Sequence, residues 1–145
     1  MTPEKAAVRV QAMRDAFGAE ALVDDFDDLI GQMACDPKDR HVLAAAVRAE
    51  ADEVVTFNLK DFPDAGAQAV GVQILHPDNF LISVVVEDPD RLVSVLEHGV
   101  AVFKNPAQSV EQFLALLTPT VPAFANLAAD AWRDHSVRSR TCPRW

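Results

Sequence analysis

The sequence predicts an α/β fold in which a small parallel sheet is flanked by helices and followed by an all-helical segment. Residues 36 to 51 carry apolar side chains at helical spacing and lead directly into a β-branched and aromatic run, Glu53 to Phe57. A second apolar run, Val72 to Leu75, follows a short helical stretch, and strands that alternate with helices usually pair in parallel. From Phe80 onward the apolar spacing is helical throughout.

The N-terminal part of the chain begins with a predicted helix. Thr2 can cap this helix, Pro3 suits its first position and Gly18 ends it. Ala21 to Val23 is expected to form a short strand, and the apolar residues between Phe26 and Met33 favour one or two helical turns.

The central helix has the clearest start signal. Asp36 suits the N-cap and Pro37 the first helical position, while Asp39 falls at the third, where a carboxylate interacts favourably with the helix dipole. We expect this helix to run to about Ala51 and the following run, Glu53 to Phe57, to form a buried strand.

The second half of the chain is predicted to consist of helices. They span residues 80–87 and 89–103, followed by two helices that contain residues 110–117 and 124–132. Three regions are therefore expected: a partial α/β domain over residues 1–80, a helical extension over residues 81–134, and a basic, flexible tail over residues 135–145.

The composition indicates a globular protein whose overall field does not attract nucleic acid. Half of the residues are hydrophobic, and the formal net charge is −9. A nucleic-acid enzyme with this charge needs divalent cations or a basic partner to reverse the local sign. Cys35 and Cys142 are interpreted as free thiols, and the sequence shows neither an export signal nor an apolar run of membrane-spanning length. We therefore expect a cytoplasmic protein.

Four polar residues are expected to meet at one edge of the sheet. A helix that packs on the strand after it runs antiparallel to that strand, so Asp36 and Asp39 should lie near Asn58 and Asp61. Ligands of open α/β sheets bind at this carboxyl edge. Asp39 falls on the stripe that faces the sheet, whereas Lys38 lies nearer the outer stripe.

Converging carboxylates favour a metal site, although a simpler interpretation exists. Such carboxylates repel one another unless a cation neutralises them, and oxygen ligands suit Mg²⁺ or Mn²⁺. The same residue types are also common helix caps and turn residues. The pattern alone therefore leaves open an ordinary α/β domain with capping aspartates.

The stretch DPKDRHVLAAAVRAEADEVVTFNLKDFP, residues 36–63, resembles the C-terminal part of PIN domains in the VapC-type toxins of bacterial toxin–antitoxin pairs. The shared pattern is an aspartate that opens an alanine-rich helix, followed by a hydrophobic strand that ends Thr-x-Asn-x-x-Asp-Phe. The likeness extends from Thr2 to Phe80, and the helical region from Leu81 to Trp132 resembles the C-terminal extension of some members.

This resemblance implies an endoribonuclease that depends on Mg²⁺ or Mn²⁺, with RNA as substrate and an antitoxin protein as partner. Position by position, Asp39 matches the metal-binding acid at the helix start and Asp61 the acid after the strand. Asn58 matches the polar residue beside that acid. Asp36 is a neighbouring carboxylate and a further candidate metal ligand.

The chain departs from the family pattern in its acidic residues. PIN domains open with a strand that ends in an aspartate, and a later helix supplies another acid, commonly glutamate. Both precede the part that matches Thr2, so half of the acidic site is expected to be missing from this chain. Without that strand the sheet keeps an unpaired edge. We therefore expect a homodimer, pairing with a complementary N-terminal fragment, or marginal stability.

Two functional interpretations follow, and the sequence leaves open whether the chain is an active enzyme. The first is a VapC-type ribonuclease component that is incomplete alone. The alternative is an inactive, truncated PIN relic whose helical half binds an antitoxin-like partner.

Overall fold

The computed structural model describes residues 2–18, 21–103 and 106–141. In chain order its helices are α1 (Pro3–Phe17), α2 (Asp27–Ile30), α3 (Arg40–Arg48), α4 (Asp64–Gln68), α5 (Pro77–Glu87), α6 (Pro89–Ala101), α7 (Val110–Leu117) and α8 (Pro122–Thr141). The strands are β1 (Glu53–Val55) and β2 (Gln73–Leu75), and a 3-10 turn spans Leu59–Asp61.

Two compact units make up the chain. The first comprises Met1–Val54 and Asn58–Ile74, and the second comprises Val55–Phe57 and Leu75–Trp145. The first unit contains the predicted site residues, and the second contains helices α5 to α8.

Strands β1 and β2 form a small parallel sheet. The backbone N–H of Gln73 donates to the carbonyl oxygen of Asp52 at 2.8 Å, and that of Thr56 donates to Leu75 at 2.9 Å. This pairing advances along both strands in the same direction, as a parallel ladder requires. The predicted α/β class, a partial PIN-like parallel sheet flanked by helices and followed by a helical extension, is therefore confirmed.

The core of the first unit is built around α3. Leu43 and Ala44 are completely buried there and pack with Met33, Phe62 and other apolar side chains. Burial of a leucine side chain contributes about 1.5–3 kcal/mol. This packing fixes α3 against the chain that precedes it and the 3-10 turn that follows β1.

Glycine is required at position 66 for the same packing. A Cβ atom on Gly66 would collide with the carbonyl oxygen of Ala34. Helix α4 therefore lies directly against the backbone that leads into Asp36, and it supports the segment that carries the predicted site.

The second unit is a helical cluster whose core includes Leu92, Leu96, Leu114 and Phe124. Proline at the first position of α5 and of α6 fits the helix start, where its missing N–H has no intrahelical partner. Asp78 on α5 is buried, and its carboxylate accepts hydrogen bonds from the backbone N–H groups at the start of α8. One helix thereby caps another.

Helix α3 is shorter than predicted at both ends. The helix starts at Arg40 and not directly after Asp36, because Asp36 accepts two hydrogen bonds from the next residues. Its carboxylate accepts one from the backbone N–H of Lys38 at 3.0 Å, and its carbonyl oxygen accepts one from the backbone N–H of Asp39 at 2.9 Å. These bonds form a tight turn instead of the first α-helical turn. At the other end, Glu50 has φ +52°, and Ala51 donates back to Ala46. This is a Schellman ending, and it stops the helix before Ala51.

Two strand predictions were wrong in part. Ala21–Val23 lies outside the sheet, because Ala21 donates to Gly18 in a turn and Asp25 adopts φ +59°. The run Glu53–Phe57 contains a strand, but a short and exposed one: Val55 is 41% and Phe57 62% exposed. Within the described residues the sheet has two strands, and a strand in so small a sheet has few neighbours to cover it.

Residues 135–141, predicted within a flexible tail, continue helix α8 to Thr141. The sequence offers a reason, since neither glycine nor proline occurs between Ala123 and Thr141. Residues 142–145 of the predicted tail lie outside the described residues.

Candidate functional site

Backbone bonds bring the two halves of the predicted site together. The N–H of Asp36 donates to the carbonyl oxygen of Asp61 at 3.0 Å. This bond joins the turn before α3 to the 3-10 turn after β1. The aspartates on the two segments are therefore neighbours irrespective of their side-chain conformations.

Asn58 connects two of these aspartates through its side chain. Its amide nitrogen Nδ2 donates to Asp61 Oδ2 at 2.6 Å and approaches Asp39 Oδ2 at 3.4 Å. Both carboxylates thus direct an oxygen toward the same nitrogen. Asp39, which immediately precedes α3, uses its carboxylate here and not as a helix cap.

Lys38 supplies a positive charge at the same place. Its ammonium nitrogen Nζ lies 2.7 Å from Asp61 Oδ2, 3.8 Å from Asp36 Oδ2 and 3.9 Å from Asp39 Oδ2. We call Asp36, Asp39, Asp61 and Asn58 the aspartate cluster. The side chains of Asp39 and Asp61 are 19% and 12% exposed, whereas that of Lys38 is 64% exposed.

These contacts determine the protonation of the central pair. The hydrogen bond from Lys38, reinforced by that from Asn58, lowers the pKa of Asp61. The hydrogen bond to Asp61 is the main cause that raises the pKa of Lys38. Carboxylate and ammonium are therefore both charged at neutral pH.

The prediction that Asp36, Asp39, Asn58 and Asp61 would lie close together describes the observed arrangement. Lys38 was missed as a member, because helical spacing placed it near the outer stripe. In the structure Lys38 belongs to the turn before α3, where helical spacing does not apply. The signal that could have indicated its role is its position between two aspartates in the sequence DPKD.

The geometry fits an open metal site better than a closed one. Within residues 2–18, 21–103 and 106–141, no three side chains of His, Cys, Asp or Glu are arranged to hold a metal ion. Asp39 and Asp61 nevertheless face one point that a cationic group already occupies. Mg²⁺ is commonly bound by one or two carboxylates and several waters. These two residues fit that ligand set, and their metal-binding role stays a prediction.

Cys35, which precedes the cluster, does not extend its chemistry. Burial is the main cause that raises the pKa of its thiol. A protonated thiol is a poor nucleophile and a poor ligand. None of the described helices is long and apolar enough to span a membrane.

Comparison with known proteins gives two matches. Residues 77–130 match the family described as the VapC50 C-terminal domain. Over 100 residues the chain is 39% identical to a protein named putative ribonuclease VapC50, from Mycobacterium tuberculosis (strain ATCC 25618 / H37Rv). That alignment covers 69% of this chain and 59% of the relative, so the chain spans less than two thirds of the relative's length. No solved structure matches the chain significantly.

The family match lies within the helical second unit, and the alignment with the relative extends over 100 residues. Both matches carry the name VapC50. They agree with the resemblance carried by residues 36–63. The chain therefore belongs to the VapC-type toxin family.

Proposed function

We propose that the chain provides part of the site of a metal-dependent endoribonuclease of the VapC type. In this proposal Asp39 and Asp61 bind Mg²⁺ or Mn²⁺, and Asn58 positions a water or a ligand. Asp36 contributes the neighbouring carboxylate. The observation that supports it best is the shared hydrogen bonding of Asn58 Nδ2 to Asp39 and Asp61.

The protein's own residues hold this arrangement in place. The backbone bond from Asp36 to Asp61 fixes the two segments, and Asn58 orients one oxygen from each of two acids. The limited exposure of Asp39 and Asp61 strengthens their interaction with a cation, because fewer waters screen it. A bound divalent ion would supply an activated water and stabilise the charge that develops during phosphodiester hydrolysis.

RNA is the proposed substrate, and an antitoxin protein the proposed partner, in the cytoplasm. The RNA assignment follows the word ribonuclease in the relative's name. A chain with net charge −9 repels a phosphate backbone at long range. Cations at the aspartate cluster, or a basic partner, would offset that repulsion locally.

We further propose that carboxylates beyond those of the aspartate cluster complete the site, contributed by a complementary N-terminal segment or by a second copy. Exposed apolar side chains support the presence of a covering partner. Phe57 beside β1 is 62% exposed, and Val8 and Phe17 on α1 are 71% and 70% exposed. Each is a large apolar side chain that an interface would cover. Light scattering coupled to size-exclusion chromatography tests this: a stable monomer that also cleaves RNA would contradict it.

Cleavage of RNA with and without the complementary fragment tests the proposed function. Asp39→Asn and Asp61→Asn should each lower Mg²⁺-dependent cleavage by at least about 100-fold, given the cost of disturbing metal coordination. Asp64→Asn is a matched control, since this exposed residue starts α4 and loses the same charge. Cleavage that survives both cluster substitutions would exclude the proposed roles.

The alternative, an inactive module that binds an antitoxin-like protein, is favoured by two observations. The Lys38 ammonium group neutralises part of the charge of the aspartate cluster. The second unit also contains a mostly apolar cavity of about 440 Å³, lined by Leu81, Val85, Leu92 and Phe124 among others. This alternative predicts partner binding that Asp39→Asn and Asp61→Asn leave unchanged, with no RNA cleavage under any condition.

A further inference from the structure

We propose that Lys38 is a built-in counter-cation of the aspartate cluster, and that a divalent ion binds there only by displacing its ammonium group. This inference rests on the proposed metal role of Asp39 and Asp61. It adds a residue that sets how tightly the site binds metal and that stabilises the cluster in the metal-free state.

The position of the Lys38 ammonium group supports its role as a counter-cation. It donates a hydrogen bond to Asp61 Oδ2 at 2.7 Å and lies within 4 Å of an oxygen from each of Asp36 and Asp39. One cationic group is therefore shared by three carboxylates. A divalent ion bound to Asp39 and Asp61 would use the carboxylate oxygens that Lys38 contacts. The ion and the ammonium group would then lie a few ångströms apart and repel each other.

Differences in exposure and anchoring support displacement of the lysine rather than of the acids. The Lys38 side chain is 64% exposed and has a flexible four-carbon stem, so it can swing into water at little cost. Asp61 is 12% exposed and stays bound to Asn58, and its backbone carbonyl accepts from Asp36. The carboxylates thus remain in place after the ammonium leaves.

Manganese binding to the chain tests the proposal without an activity readout. Isothermal titration calorimetry with MnCl₂ should show Lys38→Met binding roughly three- to tenfold tighter than the wild type, a range set by the weak to moderate strength of exposed ion pairs. Lys60→Met is the matched control. Lys60 is exposed on the 3-10 turn and its charge also acts on Asp61, so its loss changes the net charge equally. The control should change the affinity by less than about twofold.

Thermal unfolding in a metal chelator provides a second, independent measurement. Lys38→Met should lower the Tm by a few degrees more than Lys60→Met does, because the three carboxylates then repel one another. Saturating Mn²⁺ should remove this difference.

The outcomes separate the two proposals. Equal Mn²⁺ affinities for the wild type, Lys38→Met and Lys60→Met, with binding lost in Asp61→Asn, would overturn the role of Lys38 and leave the metal site standing. Absence of Mn²⁺ binding in every variant, Lys38→Met included, would overturn the metal site itself. Tighter binding and a lower metal-free Tm for Lys38→Met alone would support the displacement.

Discussion

The buried cap that Asp78 provides for helix α8 allows a quantitative prediction about the family-matched helical unit. Its carboxylate accepts from the N–H of Ala123 at 3.0 Å and from that of Phe124 at 2.7 Å, and Asp78 is 8% exposed. Loss of an N-cap costs about 0.5–2 kcal/mol, and a buried N–H left unpaired costs about 1–3 kcal/mol. We therefore expect Asp78→Ala to lower the free energy of unfolding by about 3 kcal/mol.

Asp88→Ala is the matched control for this prediction. Asp88 also caps a helix, α6, but it is exposed. Its carboxylate accepts one hydrogen bond, from the backbone N–H of Arg91 at 3.2 Å. Water can replace that bond, so the expected cost is about 0.5–1 kcal/mol. Urea denaturation followed by far-UV circular dichroism measures both. A loss for Asp78→Ala no larger than that for Asp88→Ala would refute the view that a buried cap joins α5 to α8.

Two further predictions concern the first unit. The hydrogen bond from Lys38 is the main cause that lowers the pKa of Asp61 in the folded chain. The ionised carboxylate therefore stabilises the fold above its unfolded-state pKa, and this stabilisation is lost as the pH falls through the folded-state pKa. Acid unfolding should therefore be less steep in Asp61→Asn than in the wild type, and identical acid limbs would contradict this linkage. Glu50→Gly should stabilise the chain by about 1 kcal/mol, since φ +52° strains a side-chain-bearing residue at the end of α3. Thermal denaturation checks it, with exposed Glu53→Gly in β1 as a destabilising comparison, and a lower Tm for Glu50→Gly would argue against strain at that position.

Local sequence signals predicted what depends on the local chain. Caps, prolines and helical spacing predicted helices close to α1, α2 and α4 to α7 and to the first part of α8, but not the continuation of α8 through residues 135–141. The meeting of Asp36 and Asp39 with Asn58 and Asp61 followed from one packing rule for a helix and the strand after it. That rule requires only that both elements form, and it tolerates an error in the exact helix start.

Features that depend on distant neighbours were not predictable in the same way. The exposure of Val55 and Phe57 is set by how many strands the sheet contains, which β-propensity does not reveal. Asp78 caps a helix that begins 44 positions later in the sequence, so no local pattern marks it. Lys38 was missed because a hydrogen-bonded turn replaced the first turn of α3 and changed the direction of its side chain.

In the proposed site, Asp39 and Asp61 bind one divalent ion. A crystal structure of the chain grown with Mn²⁺, with the ion located by its anomalous scattering, tests this most directly. The predicted result is a Mn²⁺ ion bound by an oxygen of each carboxylate, with the Lys38 ammonium turned away into solvent. An intact bond between Lys38 and Asp61 at saturating Mn²⁺, with the ion absent from both carboxylates, would contradict the account.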